Sequence, residues 1–333
     1  MRAVKITEFN PDSLANLQVI SDAPRPSGNA THCVVKIHSA AINPIDWKIA
    51  ALGFWPTTLP FTPGYDCAGV IVELPTDYAG DEFSVGDRVF TCNWGVSRHW
   101  DEDDTSQGGC FAEFGAFPLH KIAKIPDSVT FDVAAASALV SLTAYQALFE
   151  CLKLQPGQRI LILGGAGAVG AFALQFAKNI GCWVATTASP RNRGFVEQYG
   201  VDKIIDYSGS NWWEDEELKG IDCILDAVGE IDLFPHAHEN SIVRKGGSIV
   251  SIVFTLAGFE AYKSYYSYVD NFVLHHSGEQ LRLIADMIAA GAVKVSIDSI
   301  FSLDQDGVVA LFEKVKSGKS NGKNILRVIQ SDE

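Results

Sequence analysis

Three glycines at the spacing Gly165-x-Gly167-x-x-Gly170 carry the clearest chemistry in the chain. The first glycine of such a set allows a tight turn. The second lets the backbone approach a pyrophosphate. The third lets a helix pack close to a strand, so that its N-terminal amides and dipole face the anion. Gly165, Ala166, Gly167, Ala168, Val169 and Gly170 are therefore expected to cradle a dinucleotide phosphate. A second group follows at Thr187-Ala-Ser-Pro-Arg-Asn-Arg193. Proteins that bind NAD place Asp or Glu there, roughly 20 residues past the glycines, to hold the ribose 2′-hydroxyl. This stretch has no carboxylate, but it offers a hydroxyl and two guanidiniums. A guanidinium grips phosphate in a fixed fork and keeps its charge. Ser189, Arg191 and Arg193 thus point to the 2′-phosphate of NADPH.

The elements that must position these groups are visible around them. An apolar run of strand length, 159–163, leads into the glycines, and apolar residues then recur at helical spacing. From 158 to about 256, strand and helix candidates alternate: 159–164, 168–180, 182–187, 191–199, 203–206, 222–227, 236–244 and 247–253. Such alternation predicts a parallel sheet covered on both faces. Residues 1–125 are instead β-rich and broken by Gly and Pro, with strands expected at 33–38, 68–73, 88–90 and 111–114. They suggest a small barrel. Helical composition appears at 131–139, 143–149 and 279–290. The tail, with a strand at 293–297, a helix at 306–315 and a strand at 324–329, is expected to return to the N-terminal half.

The 333 residues suffice for about two domains, and their charge is −14. An acidic chain argues against nucleic acid or an anionic membrane as partner. No apolar run approaching the ~20 residues of a membrane span is apparent, and the N-terminus reads as a strand rather than a signal peptide, so a cytoplasmic protein is expected. Seven cysteines at wide spacing, without a CxxC pair, give no disulfide framework or four-cysteine zinc lobe. The acidic run at 101–104 and the stretch from Trp212 to Glu217 read as surface. His275 and His276 have no partner spacing and read as structural.

Further motifs run the length of the chain: Ala41-Ile-Asn-Pro-Ile-Asp-Trp-Lys48, Pro63-Gly-Tyr-Asp-Cys-Ala-Gly-Val70, Gly86-Asp-Arg-Val89, Gly108-Gly-Cys-Phe-Ala-Glu113, Leu142-Thr-Ala-Tyr145, Ile205-Asp-Tyr207 and Asp226-Ala-Val-Gly229. In this order and spacing, with the glycine loop, the chain resembles the medium-chain dehydrogenase/reductase superfamily. Within it, the chain is similar to the zinc-free branch of quinone oxidoreductases and alkenal/enone double-bond reductases. The resemblance implies an α/β protein. A GroES-like β-barrel catalytic domain would take 1–125 and 295–333, and a Rossmann doubly wound parallel-sheet domain would take 126–294. It implies an active site in the cleft between them and a homodimer joined through an edge strand near 248–254.

Zinc alcohol dehydrogenases of the superfamily carry a cysteine near the first motif and Gly-His-Glu at the second. This chain has Asn43 and Gly64-Tyr65-Asp66 there, and the third ligand is replaced near Leu139. The resemblance therefore implies no metal. The expected activity is hydride transfer from NADPH to the C=C bond of an α,β-unsaturated carbonyl. A quinone acceptor, a trans-acting enoyl reductase and a non-catalytic NADPH-binding protein are the alternatives. The small-molecule acceptor would be an enone, enal or quinone. Lys48, after Trp47, would polarise the developing oxyanion. Asn43 would face the nicotinamide ribose and substrate, and Tyr65 would line the pocket or relay a proton. Thr143, Tyr207, Val228, Lys323 and Asn324 would complete the cofactor site. Phe54, Trp55, Phe61 and Trp94 would form an apolar slot, covered by Tyr262, Tyr265, Tyr266 and Tyr268. Asp46 is expected to fix its loop by local hydrogen bonds.

Overall fold

The computed structural model describes every residue except 12, 13, 15, 54–57, 95–108, 254–257 and 330–333. Phe54, Trp55, His99, Phe254 and the acidic run at 101–104 lie outside the described residues.

The chain begins with β1 (Ala3–Ile6), β2 (Leu17–Ile20) and the long β3 (His32–Ile42), followed by α1 (Pro44–Leu52). Then come β4 (Asp66–Glu73), β5 (Arg88–Cys92), β6 (Phe114–Pro118), β7 (Ile122–Lys124) and α2 (Phe131–Gln146). Strand and helix alternate in β8 (Arg159–Leu163), α3 (Ala168–Asn179), β9 (Trp183–Thr187), α4 (Arg193–Glu197), β10 (Lys203–Ile205), β11 (Ile221–Asp226), α5 (Leu233–Glu239), β12 (Val243–Ser251) and β13 (Tyr268–Asn271). The tail holds α6 (Gly278–Ala289), β14 (Ile297–Ser302), α7 (Gln305–Lys316) and β15 (Lys323–Arg327).

Two units emerge. The first is Met1–Leu139, His275–Gly291 and Val295–Glu333; the second is Val140–Leu274 with Ala292–Lys294. The first unit thus also takes in the start of α2 and all of α6, which the sequence suggested would go with the alternating region. α6 goes with the first unit because it packs on β7.

In the first unit β3 organises the sheet, whose order is β14-β15-β3-β4-β5-β7. One edge of β3 pairs with β4. Its other edge is shared, β6 pairing with the first half from His32 to Lys36 and β15 with the second half from Ser39 to Ile42. β15 therefore delivers the C-terminal residues to the end of β3. The core beneath contains Ile37, Phe111, Phe117 and Phe312, with Phe61 packed at its margin.

The second unit is a six-stranded sheet in the order β10-β9-β8-β11-β12-β13, every neighbouring pair parallel. Numbered within the unit, this is the 3-2-1-4-5-6 order of the Rossmann fold. β12 lies between β11 and β13. The stretch 248–251 is therefore interior, not the edge strand expected there; the edge is β13. The helix expected at 236–244 begins and ends earlier, as α5. Ser241 follows it with φ 54°, a turn the sequence did not announce with glycine. β12 then starts at Val243 with a bulge that skips from Val243 to Ser248 in its pairing with β11.

Trp212 is 3% exposed and belongs to the core rather than the expected surface. Tyr266 belongs to the same core, with Tyr262 and Tyr265 packed against it beside Phe234. Tyr266 thus lies in the interior of the unit, and half-buried Tyr262 and Tyr265 cover that core. Among the described residues, one stretch, Phe131–Cys151, is long and apolar enough to cross a membrane by length and composition, but 78% of its apolar 18-residue window is buried inside the protein, as in a core helix. Interruption by Asp132, Ser137, Ser141 and Thr143 hides that run in the sequence.

Candidate cofactor and substrate site

β8 runs directly into the glycine loop. The left-handed turn residue is Gly164, at φ 83°; the sequence reading gave that role to Gly165, one residue late. Gly165 meets a different demand, since a Cβ there would stand 2.2 Å from Thr186 Oγ1 on β9. Gly170, in the first turn of α3, lies against the loop, where a Cβ would come within 2.2 Å of Gly164 O. This is the close helix–strand approach expected of the third glycine. Gly167 caps α3 and is exposed. Among the described residues, a Cβ on it would meet only Gly164 O, at 3.4 Å, so a methyl would occupy the space above the helix end. Ala168, Val169 and Gly170 begin α3, and their amides have no intrahelical acceptor. Open space, orphan amides and the helix dipole together fit a pyrophosphate. Ala166 is buried beneath them.

Two threonines hold this loop, and sequence reasoning missed them. Gly164 N donates to Thr187 Oγ1 at 2.9 Å, and Thr186 Oγ1 donates to Ile162 O at 2.7 Å. The signal was there: hydroxyls ending an otherwise apolar strand.

Strand order reverses between β8 and β11, so their carboxyl ends flank the crevice where doubly wound sheets take ligands. Asp226 ends β11 fully buried. Its carboxylate accepts the amides of Val228 and Gly229 at 3.0 Å and the Ser251 hydroxyl at 2.7 Å. This turn sets Val228 against Gly164, where a Cβ would fall 2.3 Å from Val228 Cγ1. Val228 is nevertheless 55% exposed, an apolar group at the mouth of the crevice.

After β9, Ser189 precedes a single turn, 190–192. Arg191 is exposed, and its one described contact is a long 3.5 Å to Asn192 Oδ1. Arg193 is exposed and paired with Glu197 at 2.8 Å. Arg191 is thus the guanidinium that an incoming phosphate meets uncommitted. Tyr207 is exposed in the turn after β10, and Thr143 is buried within α2.

In the first unit a polar cluster is buried at the start of α1. Asn43 is the cap, and Pro44 suits the first helical position. Asp46 accepts Asn43 N at 2.7 Å and Gly64 N at 3.0 Å, tying the helix to the turn before β4. Burial pushes its carboxyl up to about 7, with the charge of Asp66 adding to the rise and the two amides and Lys323 opposing it. Asp66, also fully buried, accepts Asn43 Nδ2 at 2.8 Å, Lys323 Nζ at 3.0 Å and Leu139 N at 3.0 Å. Burial holds Asp66 above the usual carboxylate range despite the pull of Lys323 and Asn43. Lys323 Nζ also donates to Asn43 Oδ1 at 2.6 Å. The pairing of β15 with β3 makes this meeting possible.

Asn43 and Lys323 are only 1% and 3% exposed, with their polar atoms engaged. The sequence reading aimed Asn43 at ribose and substrate and Lys323 at the cofactor. In the structure both turn inward, because the Asp66 carboxylate between them needs a cation and donors. Asp66 was the missing member; it lay inside a quoted motif without a role.

Tyr65 is buried against Trp94, their ring centroids 4.9 Å apart. Burial, aided by Asp46, raises its phenol far enough that it stays protonated. Lys48 is half-buried, on the face of α1 opposite Asp46 and Ile49 and one turn from exposed Leu52. No described residue accepts from its ammonium. Trp47 packs on the core, with Lys316 Nζ 6.0 Å from its ring. Asn324 is buried, gives Nδ2 to Ser320 at 2.9 Å, and leaves Oδ1 with no partner among the described residues.

A catalytic zinc needs about three Cys, His or carboxylate ligands around one point. Among the described residues, no three His, Cys, Asp or Glu gather in that way. Asp46 and Asp66 are committed to amides and Lys323, and Cys92 and Cys110 are thiols whose burial raises them well above their usual range. The donor set among the described residues does not fit zinc.

Two families match the chain: the alcohol dehydrogenase GroES-like domain over residues 29–127, and the zinc-binding dehydrogenase family over 199–326. A 2-methylene-furan-3-one reductase of Solanum lycopersicum is 32% identical across 99% of this chain and 79% of its own length. An NADPH-dependent alkenal/one oxidoreductase of Arabidopsis thaliana is 30% identical, covering 93% of this chain and 75% of the relative. The solved quinone oxidoreductase of Coxiella burnetii superposes with a TM-score of 0.81 at 26% identity, over 99% of each chain. With a Rossmann sheet, a glycine loop at its strand–helix turn and these relatives, the chain is an oxidoreductase and belongs to the medium-chain dehydrogenase/reductase superfamily, in its quinone oxidoreductase and alkenal/enone reductase branch.

Proposed function

We propose that the chain reduces the C=C bond of an α,β-unsaturated carbonyl with NADPH and without a metal ion. The observation that carries this reading is the contrast between two lysines. Lys323 is neutralised by Asp66 in the interior, whereas Lys48 is half-buried with no acceptor among the described residues. A half-buried side chain with an uncommitted ammonium suits the negative charge that grows on a carbonyl oxygen as hydride reaches the β-carbon. The bound nicotinamide would supply that hydride. The chain's own part is positional. The amides of Ala168, Val169 and Gly170 would hold the pyrophosphate, with Gly167 leaving it room. Arg191, with Ser189 and Arg193, would hold the 2′-phosphate. Asn324 Oδ1 would accept a hydrogen bond from the bound group. Tyr65, kept protonated, would offer its hydroxyl. Asn43, Asp46, Asp66 and Lys323 would set the pose of α1 and hence of Lys48; they are positioning residues. The relatives named as alkenal and furanone reductases support an enone acceptor, and the donor set around Asn43 supports a reaction without zinc.

The test is NADPH oxidation by the purified chain across 2-alkenals, cyclic enones, quinones and enoyl thioesters, before and after dialysis against a chelator. Enones or enals should turn over fastest, and chelation should change nothing. Lys48→Ala should lower kcat on the best enone roughly 100-fold, the usual cost of an oxyanion donor, while leaving NADPH affinity intact. Turnover confined to quinones would replace the acceptor in this reading, and undiminished turnover by Lys48→Ala would remove Lys48 from it.

A further inference from the structure

The turn before β7 and the start of α6 wall a groove of about 830 Å³ in the first unit, and none of the residues assigned above to cofactor or hydride transfer lines it. Two imidazoles meet there. His120 is exposed in the turn, and half-buried His276 lies just ahead of α6. Their Nε2 atoms are 3.2 Å apart, and their ring planes cross at 48°. The backbone fixes this spacing. Gly278 sits so close to the turn that a Cβ would fall 2.4 Å from Ile122 O and 2.9 Å from His120 O. Ser277 caps α6 by accepting Gln280 N at 3.2 Å, and β7 is held in the sheet by β5.

Across such a contact two neutral imidazoles can share only one proton. A cation that takes a lone pair from each satisfies both. Zinc–nitrogen bonds of about 2.0–2.1 Å at a tetrahedral angle put two ligand nitrogens about 3.3 Å apart. The observed 3.2 Å needs no more than a slight adjustment of either ring. An anion at the start of α6 is the competing occupant, and the groove argues against it. The carbonyls of His120 and Ile122 lie against Gly278 at the helix start. Lys124 is tied to Asp87 at 2.8 Å, Arg282 stands 3.8 Å from Glu82, and Glu279 adds a second carboxylate to the lining.

We propose that His120 and His276 form a two-imidazole site for a borderline divalent transition cation of the Zn²⁺ class, with water completing its coordination. Imidazole selects such ions over Mg²⁺, which prefers oxygen. No third His, Cys, Asp or Glu completes a cluster among the described residues, so the site is weaker than a four-ligand structural zinc site. A bound ion would staple the β7 turn to α6 and raise the melting temperature by mass action.

The test is calorimetric titration of ZnCl₂ into the full chain, freed of any affinity tag, with parallel melting curves. One saturable site and a higher Tm are expected at pH 7.5. Both should be lost at pH 5.5, where imidazoles take protons, and MgCl₂ should give neither. His120→Gln and His276→Gln should each weaken Zn²⁺ at least tenfold and leave enone reduction unchanged. Cu²⁺ on the unaltered protein should show coupling to two nitrogens in its electron paramagnetic resonance spectrum. No saturable Zn²⁺ site, undiminished binding in the double variant, or coupling to fewer than two nitrogens overturns the proposal.

Discussion

Lys323 and Asp66 face each other at 3.0 Å with their side chains 4% and 0% exposed. A buried pair of this kind adds little net stability over apolar side chains, but removing one partner strands the other charge and costs about 3–5 kcal/mol. Lys323→Met should lower urea stability by about that much, and adding Asp66→Asn should restore more than half of it. A double variant as weak as the single one would rule out the stranded charge as the cause. Asp46 gives a pH signature. Its folded value of about 7 lies above the ordinary 3.8. The folded chain therefore holds a proton that the unfolded chain has lost between those values. The stabilising contribution is full below the lower value and disappears as pH rises through the higher one. The stability advantage of the unaltered protein over Asp46→Asn should thus shrink by about 1–3 kcal/mol between pH 5 and pH 8, as read by denaturant titration; a constant difference would contradict the raised carboxyl. Of this cluster, sequence made Asp46 legible, because a capping acid acts within three residues. The Lys323–Asn43 contact spans 280 residues and depends on strand pairing. No local chemistry announces such a meeting.

The strand–loop–helix of β8 and α3 is where sequence and structure agree most fully, because each residue there answers to a neighbour within the motif or on the adjacent strand. Even so, the tight turn belongs to Gly164. A positive φ depends on how β8 exits, and spacing among glycines does not reveal it. The alternating period made the parallel sheet readable, while the end of α5 and the bulge of β12 were not, since Ser241 takes its left-handed turn without glycine. The glycines of the loop can be separated by experiment. Gly170→Ala would put a Cβ 2.2 Å from Gly164 O, on backbone that cannot yield cheaply. It should cost stability on the scale of core overpacking, about 1–3 kcal/mol, even without cofactor. Gly167→Ala meets nothing nearer than 3.4 Å among the described residues and has an ordinary φ of −74°. It should leave the melting temperature of the free protein nearly unchanged and weaken NADPH binding, because the methyl takes the ligand's space. Thermal melts with and without NADPH check both; equal loss of stability in the two variants would remove the distinction between a packing glycine and a cradling one.

Over the whole molecule, a net charge of −14 opposes any polyanionic cofactor. That repulsion is diffuse. At about 0.1 M salt the Debye length is about 10 Å, so most of those charges are screened from any one site. A guanidinium in contact with a phosphate is screened far less, and so local pairing decides the affinity. Arg193 already shares its charge with Glu197 at 2.8 Å, whereas Arg191 has no carboxylate partner among the described residues. Hydrogen bonds to charged groups contribute about 1.5–3 kcal/mol. Arg191→Ala should therefore weaken NADPH at least tenfold and leave NADH, which lacks the 2′-phosphate, unaffected. Arg193→Ala should cost less, since it also frees Glu197. Raising salt should narrow the preference for NADPH over NADH in the unaltered protein, and the Arg191→Ala variant should show little of that salt dependence. Dissociation constants for both nucleotides at two salt concentrations check this. Equal affinity for the two nucleotides in the unaltered protein would mean that the guanidiniums after β9 do not read the phosphate, and the cofactor assignment would pass to NADH.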